Sequence, residues 1–328
     1  MLDSLRGIAA VSVMLFHYLY VYHNEFGYSK KPVIEFEYGF LGVHLFFMIS
    51  GFVIYFSISN SKDVRDFLIK RFIRLYPTFW LCLIITFTLV SIFGISAYRN
   101  TNIFDALANT TMIIMEAAHV KAVDSSYWSL QIELFFYFFI AFIFLLKMQR
   151  HIDLILAGWL ILIVVYNFIY RIPVAGLFLN LRYGMYFIAG ISFYKIKVLK
   201  QEKIFNHLII ISSYIIALQT FKDMPGHVGG ITASYCVFYL FIYDKLFFLK
   251  NSFLLFLGKI SYPLYLIHHY VGIIILQQLK FHGWCHPVVV IIPVAVSVLL
   301  GWLINDYYDA KVSRWLKGKL ISPRPAIA

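Results

Sequence analysis

The sequence predicts an all-α fold, a polytopic bundle of transmembrane helices, from three features of its composition and patterning. Hydrophobic residues make up 61% of the 328 residues, whereas only 13% are charged. Soluble domains contain about 25% charged residues. Apolar runs close to the roughly 20 residues that cross a bilayer recur along the whole sequence. Lys and Arg residues gather in the short segments between these runs, which is typical of topology signals.

The apolar runs predict about ten spans and a cytoplasmic position for both termini. With this count, most of the 28 Lys and Arg residues fall on one side of the membrane, and the positive-inside rule makes that side cytoplasmic. We therefore expect one membrane domain over residues 1–328, in a multi-pass protein of the inner (plasma) membrane. The predicted spans are residues 3–22, 39–58, 76–95, 128–146, 152–170, 174–194, 206–221, 227–243, 260–279 and 286–305.

The charge and the cysteines exclude several other classes of protein. A net charge of +12 would suit a nucleic-acid-binding protein, but the cations sit in loops between spans, so we expect no nucleic-acid partner. Cys82, Cys236 and Cys285 are scattered without paired spacing. They predict neither a disulfide framework nor a zinc site, and we expect no metal.

Two polar segments separate predicted spans on opposite sides of the membrane. The inner segment, 62–77, carries five cations, of which Arg71 and Arg74 are neighbours on one helix face. These arginines have two open interpretations, a plain topology signal or a clamp for the phosphates of a cytoplasmic substrate. The outer segment, 96–127, is too polar for a span, and 103–118 could form an amphipathic helix at the outer surface.

The first span contains two ionisable residues on one face. Arg6 and His17 are eleven residues apart, which is 20° from a whole number of helical turns and about 16 Å along the axis. Ionisable groups at membrane depth are costly and face a cavity or a partner. The pattern therefore predicts a functional face with Arg6 at the cytoplasmic surface and His17 in the outer half.

Glu133 and His44 lie on other spans at the depth predicted for His17. Glu133 lies about five residues inside the outer end of the fourth span, so we expect its carboxylate to pair with the imidazole of His17. The alternative is that Glu133 is only a structural ion-pair partner or an interfacial residue. Ser50 points about 120° away from His44 on the second span and is expected to bond back to its own helix. In span nine, spacing alone indicates structural roles for both His268 and His269.

Five motifs, in order, make the chain resemble the acyltransferase family 3 of membrane O-acyltransferases, which modify bacterial surface glycans. The first is LDSLRGIAAVSVMLFH, with Arg6 and His17 in the Arg-x10-His pattern. The next three are GVHLFFMISGF, RFIRLYP and WSLQIELFFY, the last resembling WSL-x-x-E-x-x-F-Y. The fifth and weaker match is GKISYPLYLIHH. The chain departs from the commonest pattern at His44, where many members are acidic, and at Ser4, where Gly is usual.

This resemblance implies the activity, the substrates and the site. His17 matches the residue on which activity depends, Arg6 its motif partner, and Glu133 the acidic position of the fourth motif. Arg71 and Arg74 match the basic motif associated with the acyl donor, an acyl-CoA and most commonly acetyl-CoA, so no permanently bound cofactor is expected. The acceptor would be a hydroxyl of O-antigen, exopolysaccharide, peptidoglycan or a lipid-linked saccharide, and lipid of the bilayer surrounds the chain.

Two chemical routes and two other classes of protein stay open at this point. His17 could act as a general base with Glu133 or another carboxylate fixing its tautomer, or it could accept the acyl group as a covalent relay. A transporter or flippase of a lipid-linked glycan would also place His and Glu at membrane depth, but no inverted repeat is recognisable. A non-enzymatic scaffold would not need ionisable residues inside its spans.

Overall fold

The computed structural model describes residues 1–94, 101–113, 120–171, 173–224 and 226–321. These residues form helices joined by turns and loops, which confirms the all-α prediction. The α-helices are α1 Leu2–Leu15, α2 Tyr22–Phe26, α3 Gly42–Ser59, α4 Val64–Phe93, α5 Ile103–Asn109, α6 Trp128–Leu145, α7 Ile152–Val164, α8 Pro173–Phe178, α9 Gly184–Lys197, α10 Ile204–Thr220, α11 His227–Ile242, α12 Ser252–Phe281, α13 Ile291–Leu303 and α14 Ala310–Leu320.

Six helical segments among the described residues are long and apolar enough to cross a membrane. They are Leu2–Phe26, Glu37–Ser59, Val64–Phe93, Ser125–Leu145, Met148–Phe168 and Pro287–Leu320. Six of the predicted spans therefore coincide with helices of this kind. The predicted span 174–194 is divided between α8 and α9 by the turn at 179–183, so it is not one continuous helix. The other three predicted spans coincide with α10, α11 and α12, of which α10 and α11 are apolar but shorter. The chain is a membrane protein with several spans, because many apolar helices pack side by side.

Helix α4 begins twelve residues earlier than the predicted third span. The sequence assigned 62–77 to a loop, but the carboxylate of Asp63 accepts a hydrogen bond from the backbone N–H of Asp66 and caps the helix. The basic residues lower the hydropathy of this stretch without preventing helix formation. As a result, Arg71 and Arg74 stand on a rigid helix instead of a loop.

Close packing at glycine residues brings together the helices that form the site. Helix α1 packs against α12 and α3, and α3 packs against α9. A Cβ atom at Gly7 would meet the backbone nitrogen of Gly258 at 2.6 Å, and a Cβ at Gly51 would meet the carbonyl oxygen of Phe187. Gly51 thus lets α3 and α9 pack closely. These contacts bring the first, second and ninth predicted spans into one central group.

The first span is not a continuous α-helix, because Phe16–Val21 form a π-helical segment between α1 and α2. Such segments are frequent at functional sites. Within the polar outer segment, α5 ends at Asn109, so the expected helix over 103–118 is shorter than predicted, and 114–119 lie outside the described residues. Its start is fixed by a capping box between Asn102 and Asp105.

Candidate active site

A cavity of about 790 Å³ opens between α1, α3, α4, α6, α12 and α14. Four cations of its wall come from the first span and from α4: Arg6, Lys70, Arg71 and Arg74. Lys70 is paired with Asp66 at 2.6 Å. This cavity, the basic cavity hereafter, thus contains the two arginines that the sequence singled out, together with Arg6. An excess of positive charge in a sheltered volume is suited to an anionic ligand.

Aromatic rings and one hydroxyl hold the arginines of α4 in place. Nη2 of Arg71 donates a hydrogen bond to Oγ of Ser57 at 2.7 Å. The guanidinium carbon of Arg71 lies 5.8 Å from the ring centre of Tyr137, and that of Arg74 lies 5.8 Å from the ring centre of Tyr262. Cation–π contacts of this kind orient a guanidinium while leaving its N–H groups for an anion.

Glu133 belongs to the basic cavity, and its hydrogen bonds correct the pairing that the sequence predicts with His17. Its Oε1 accepts hydrogen bonds from Oγ of Ser50 and from the hydroxyl of Tyr137, each at 2.7 Å. His17 lines a different cavity and has other partners. The prediction that Ser50 bonds back to its own helix is therefore also wrong. Counting residues along each helix placed Glu133 and His17 at the same depth in the membrane. It could not determine which side chains of other helices each of them faces.

A smaller cavity of about 210 Å³ contains His17 and adjoins the basic cavity. Val43 and Tyr265 line both volumes and separate them. The hydroxyl of Tyr265 is 2.7 Å from Oγ of Ser129 and donates to the carbonyl of Ser126 at 3.0 Å, which fixes the ring in the partition. We call this volume the histidine cavity. Its walls also include His44, Ser125, Trp128, Tyr183, Phe221 and His227.

The hydrogen bonds around His17 determine which ring nitrogen is basic. Nδ1 of His17 lies 2.9 Å from the carbonyl oxygen of Val13 and 3.1 Å from Nε2 of His268. Nδ1 of His268 lies 2.8 Å from the carbonyl oxygen of Tyr265. Since both carbonyls only accept, each Nδ1 carries hydrogen, and Nε2 of His268 is a second acceptor for Nδ1–H of His17. This assignment leaves the lone pair of His17 on Nε2.

A buried carboxylate–imidazole pair lies next to His17. Nδ1 of His269 donates to Oδ1 of Asp124 at 2.9 Å, and the ring centres of His269 and His17 are 4.0 Å apart. Burial raises the pKa of Asp124, but His269 and the backbone N–H groups of Tyr270 and Ser126 bring it below its usual value. Asp124 is therefore an anion, and it holds His269 in one orientation.

The sequence did not assign these neighbours of His17 a functional role. His268 and His269 follow one another on α12, and the rings of both contact His17, which helical spacing did not predict. The signal was the adjacent pair in the fifth motif, together with Asp124 just before the fourth. Elsewhere in the histidine cavity, buried His44 stacks on Phe221 with ring centres 5.3 Å apart. Among the described residues, no group of three His, Cys, Asp or Glu side chains could hold a metal ion.

The fold and the two cavities define a membrane protein with a basic site and an imidazole site that share Val43 and Tyr265 in their walls. The sequence model of a family described as an acyltransferase domain matches residues 1–306. The chain therefore belongs to this family, the acyltransferase family 3 that its motifs resemble, and it is an acyltransferase that transfers groups other than aminoacyl groups.

One curated relative is similar to a part of the chain. Nodulation protein 10 of Rhizobium leguminosarum bv. viciae is 28% identical over 153 residues. The match covers 41% of this chain and 41% of that protein, so less than half of the relative's length is matched. No solved structure matches the chain. Membership of an acyltransferase family favours an enzyme over the transporter and the scaffold.

Proposed function

We propose that this acyltransferase carries an acyl group, most simply acetyl, from acyl-CoA to a hydroxyl of a glycan outside the cytoplasm. The observation that carries the proposal is the adjoining pair of cavities, one rich in cations and one containing His17, with Val43 and Tyr265 lining both. Acyl-CoA would occupy the basic cavity and the sugar hydroxyl the histidine cavity. The acyl group then has to pass only the partition that Val43 and Tyr265 form between the two cavities.

The basic cavity provides the chemistry that the phosphates of the donor need. Arg71 and Arg74 stand on one face of α4, and Arg6 faces the same volume. Guanidinium groups bind phosphate oxygens in pairs of hydrogen bonds. Glu133 is the acidic residue of this cavity that attracts Arg6, and through Ser50 and Tyr137 it connects α3 and α6. We assign Arg6 and the two arginines of α4 to donor binding and Glu133 to positioning.

Transfer starts at Nε2 of His17. The lone pair takes the proton of the sugar hydroxyl while the hydroxyl oxygen forms a bond to the thioester carbonyl carbon. The carbon–sulfur bond then breaks, and the imidazolium gives its proton to the sulfur, which yields the ester and free coenzyme A. His269, which is held by Asp124, lies with its ring centre 4.0 Å from that of His17 and limits how the imidazole can turn during the proton transfer.

A second route keeps the same residues and changes their order. Nε2 of His17 could take the acyl group first, and the sugar hydroxyl would attack this acyl-imidazole in a second step. Single-turnover reaction with radiolabelled acetyl-CoA, quenched and analysed for label on the protein, separates the routes. Label on His17 before product appears supports the relay, and product without labelled protein supports direct transfer.

The decisive test is His17→Ala in purified protein reconstituted in nanodiscs. We expect acetyl transfer from acetyl-CoA to an extract of surface glycans to fall at least 100-fold, because general base catalysis typically contributes about that factor. His282→Ala is the matched control, since His282 is exposed at the end of α12. Transfer by the His17 variant near the control level would refute the assignment. Arg71→Gln with Arg74→Gln should separately weaken binding of coenzyme A.

The placement in the cell is part of the proposal. We infer ten spans with both termini in the cytoplasm of a cell bounded by an inner membrane, because most cations of the sequence then lie on the cytoplasmic side. Reporter fusions after residues 60, 148 and 200 should all report the cytoplasm. Mass spectrometry of surface glycans from cells with and without the gene would identify the acceptor among O-antigen, exopolysaccharide, peptidoglycan and lipid-linked saccharides.

A further inference from the structure

The C-terminal helix α14 forms part of the wall of the basic cavity. Ala310, Ser313, Arg314 and Lys317 all line this volume. They stand at positions i, i+3, i+4 and i+7, which lie along one face of a helix. Arg314 and Lys317 are exposed, so they stand at the mouth of the cavity. Their charges therefore face any anion that enters.

Hydrogen bonds through Asp309 tie the start of α14 to α4. Oδ1 of Asp309 accepts from Oγ1 of the buried Thr78 at 2.7 Å and from Oγ of Ser313 at 3.2 Å. Oγ of Ser313 also lies 3.4 Å from the carbonyl oxygen of Ile73. Because Ile73 stands between Arg71 and Arg74 in sequence, this connection fixes α14 next to the arginines that the donor site uses.

The remaining lysines of the helix lie elsewhere. Nζ of Lys311 lies 5.9 Å from the ring centre of Tyr307, and Nζ of Lys319 lies 4.5 Å from that of Trp315. Neither lysine is among the residues that line the basic cavity. The helix thus divides its cations between a cavity face and an outer face. This division provides two pairs of residues with equal charge and different positions.

The basic cavity therefore has two groups of cations. One consists of Arg6, Lys70, Arg71 and Arg74, and the other of Arg314 and Lys317. Two carboxylates, Glu133 and Asp309, line the same volume, so positive charge is in excess. Six cations from α1, α4 and α14 around one cavity suit a ligand with more than one phosphate, since a single phosphate would need fewer of them.

We propose that Arg314 and Lys317 bind the 3′-phosphate of the coenzyme A donor. The inference rests on the proposed function, in which acyl-CoA occupies this cavity. The thioester end must reach the partition at Val43 and Tyr265, so the nucleotide end stays at the mouth, where α14 lies. The arginines of α4 then bind the diphosphate, and α14 binds the phosphate of the ribose.

Binding of two nucleotides to the wild-type protein and to two double variants tests this proposal. The double variant Arg314→Gln, Lys317→Gln is compared with Lys311→Gln, Lys319→Gln, which removes the same charge from the outer face. The protein is reconstituted in nanodiscs of phosphatidylcholine, and the dissociation constants of coenzyme A and 3′-dephospho-coenzyme A are measured by calorimetry. We expect the cavity-face variant, which lacks Arg314 and Lys317, to bind coenzyme A about tenfold more weakly than the wild type does. It should also lose the preference for coenzyme A over 3′-dephospho-coenzyme A. The outer-face variant should keep both affinities.

Three outcomes would overturn the inference. An equal loss in both double variants would mean a general electrostatic attraction. An equal loss for both nucleotides in the cavity-face variant would place the contact at another phosphate. No loss in phosphatidylcholine would leave anionic lipid headgroups as the ligand of α14, which binding to vesicles with and without phosphatidylglycerol would detect.

A further variant separates this proposal from the proposed function. Arg71→Gln with Arg74→Gln is measured in the same assay. If that variant binds coenzyme A normally, the donor assignment itself fails. If it binds weakly while the cavity-face variant of α14 binds normally, only the role of α14 fails. Single Arg314→Glu reverses a charge at an exposed position, so it serves where the double variant does not fold.

Discussion

His17 obtains its chemistry from neighbours that come from other helices. A carbonyl of its own helix and Nε2 of His268 both accept from its Nδ1, so Nε2 is left basic. His269, held by Asp124, adds a second imidazole at 4.0 Å between ring centres. His268 therefore orients the base, while Asp124 fixes the imidazole of His269 beside it.

The contact between His268 and His17 predicts a loss of turnover without a loss of donor binding. His268→Ala removes an acceptor that orients the ring of His17, and small misplacements of a base cost about 100-fold in rate. We expect kcat to fall by about that factor while the KM for acetyl-CoA changes little, since His268 does not line the basic cavity. Steady-state kinetics in nanodiscs provide the measurement.

A conservative variant distinguishes orientation from simple packing. His268→Gln keeps a side-chain oxygen that can accept from Nδ1–H of His17, so it should recover part of the lost kcat. The exposed His282→Ala serves as the control and should leave kcat unchanged. A parallel rise in KM for the His268 variants would instead indicate that α12 has moved and the donor cavity with it.

Among the elements, the crossing of α3 and α9 determines where Ser50 and Val43 stand. Gly51 of α3 and Gly190 of α9 lie where the two helices come closest. A Cβ atom at Gly190 would meet the carbonyl oxygen of Met48, and a Cβ atom at Gly51 would meet the carbonyl oxygen of Phe187. Small residues at such crossings let the backbones approach. The crossing therefore depends on the absence of side chains.

Enlarging Gly51 should destabilise the protein. Gly51→Val would force α3 and α9 apart, and overpacking typically costs about 1–3 kcal/mol. We expect a lower midpoint of thermal unfolding, measured in detergent as the temperature at which half of the protein is no longer soluble. Gly158→Ala in α7 is the control, because nothing lies within 4 Å of an added Cβ there. An unchanged midpoint for Gly51→Val would mean that the helices separate freely.

The sequence predicted where helices lie along the chain better than it predicted which helices and side chains contact each other. Hydropathy summed over about 20 residues is a local property, so spans such as 39–58 and 128–146 match helices of the structure. The start of α4 was missed because its cations outweighed the cap at Asp63. The pairing of Glu133 with His17 was wrong because sequence fixes a residue's depth and face, whereas the neighbour of that face depends on the packing of all the helices.

At the scale of the whole molecule, the two cavities require a passage for the acyl group. Val43 and Tyr265 line both volumes, whereas Val53 lines only the basic cavity. We expect Val43→Phe to retain coenzyme A binding and to lower acetyl transfer at least tenfold, because a larger side chain would fill the partition. Val228→Phe is the matched control, because Val228 is exposed on α11 and lines neither cavity. Equal effects of the two substitutions on transfer would show that the partition is not the route.

The same partition has an electrical consequence. If the hydroxyl proton left on the acceptor side and the sulfur were protonated from the cytoplasm, each turnover would move one charge, worth about 2.3 kcal/mol per 100 mV. Return of the proton from His17 to the sulfur across Val43 and Tyr265 keeps the cycle neutral. We therefore expect transfer in proteoliposomes to proceed at one rate with or without a potassium diffusion potential. A rate that follows the potential would place proton release on the acceptor side, and an inside-negative membrane potential would then oppose surface acylation, because each turnover would move one positive charge outward.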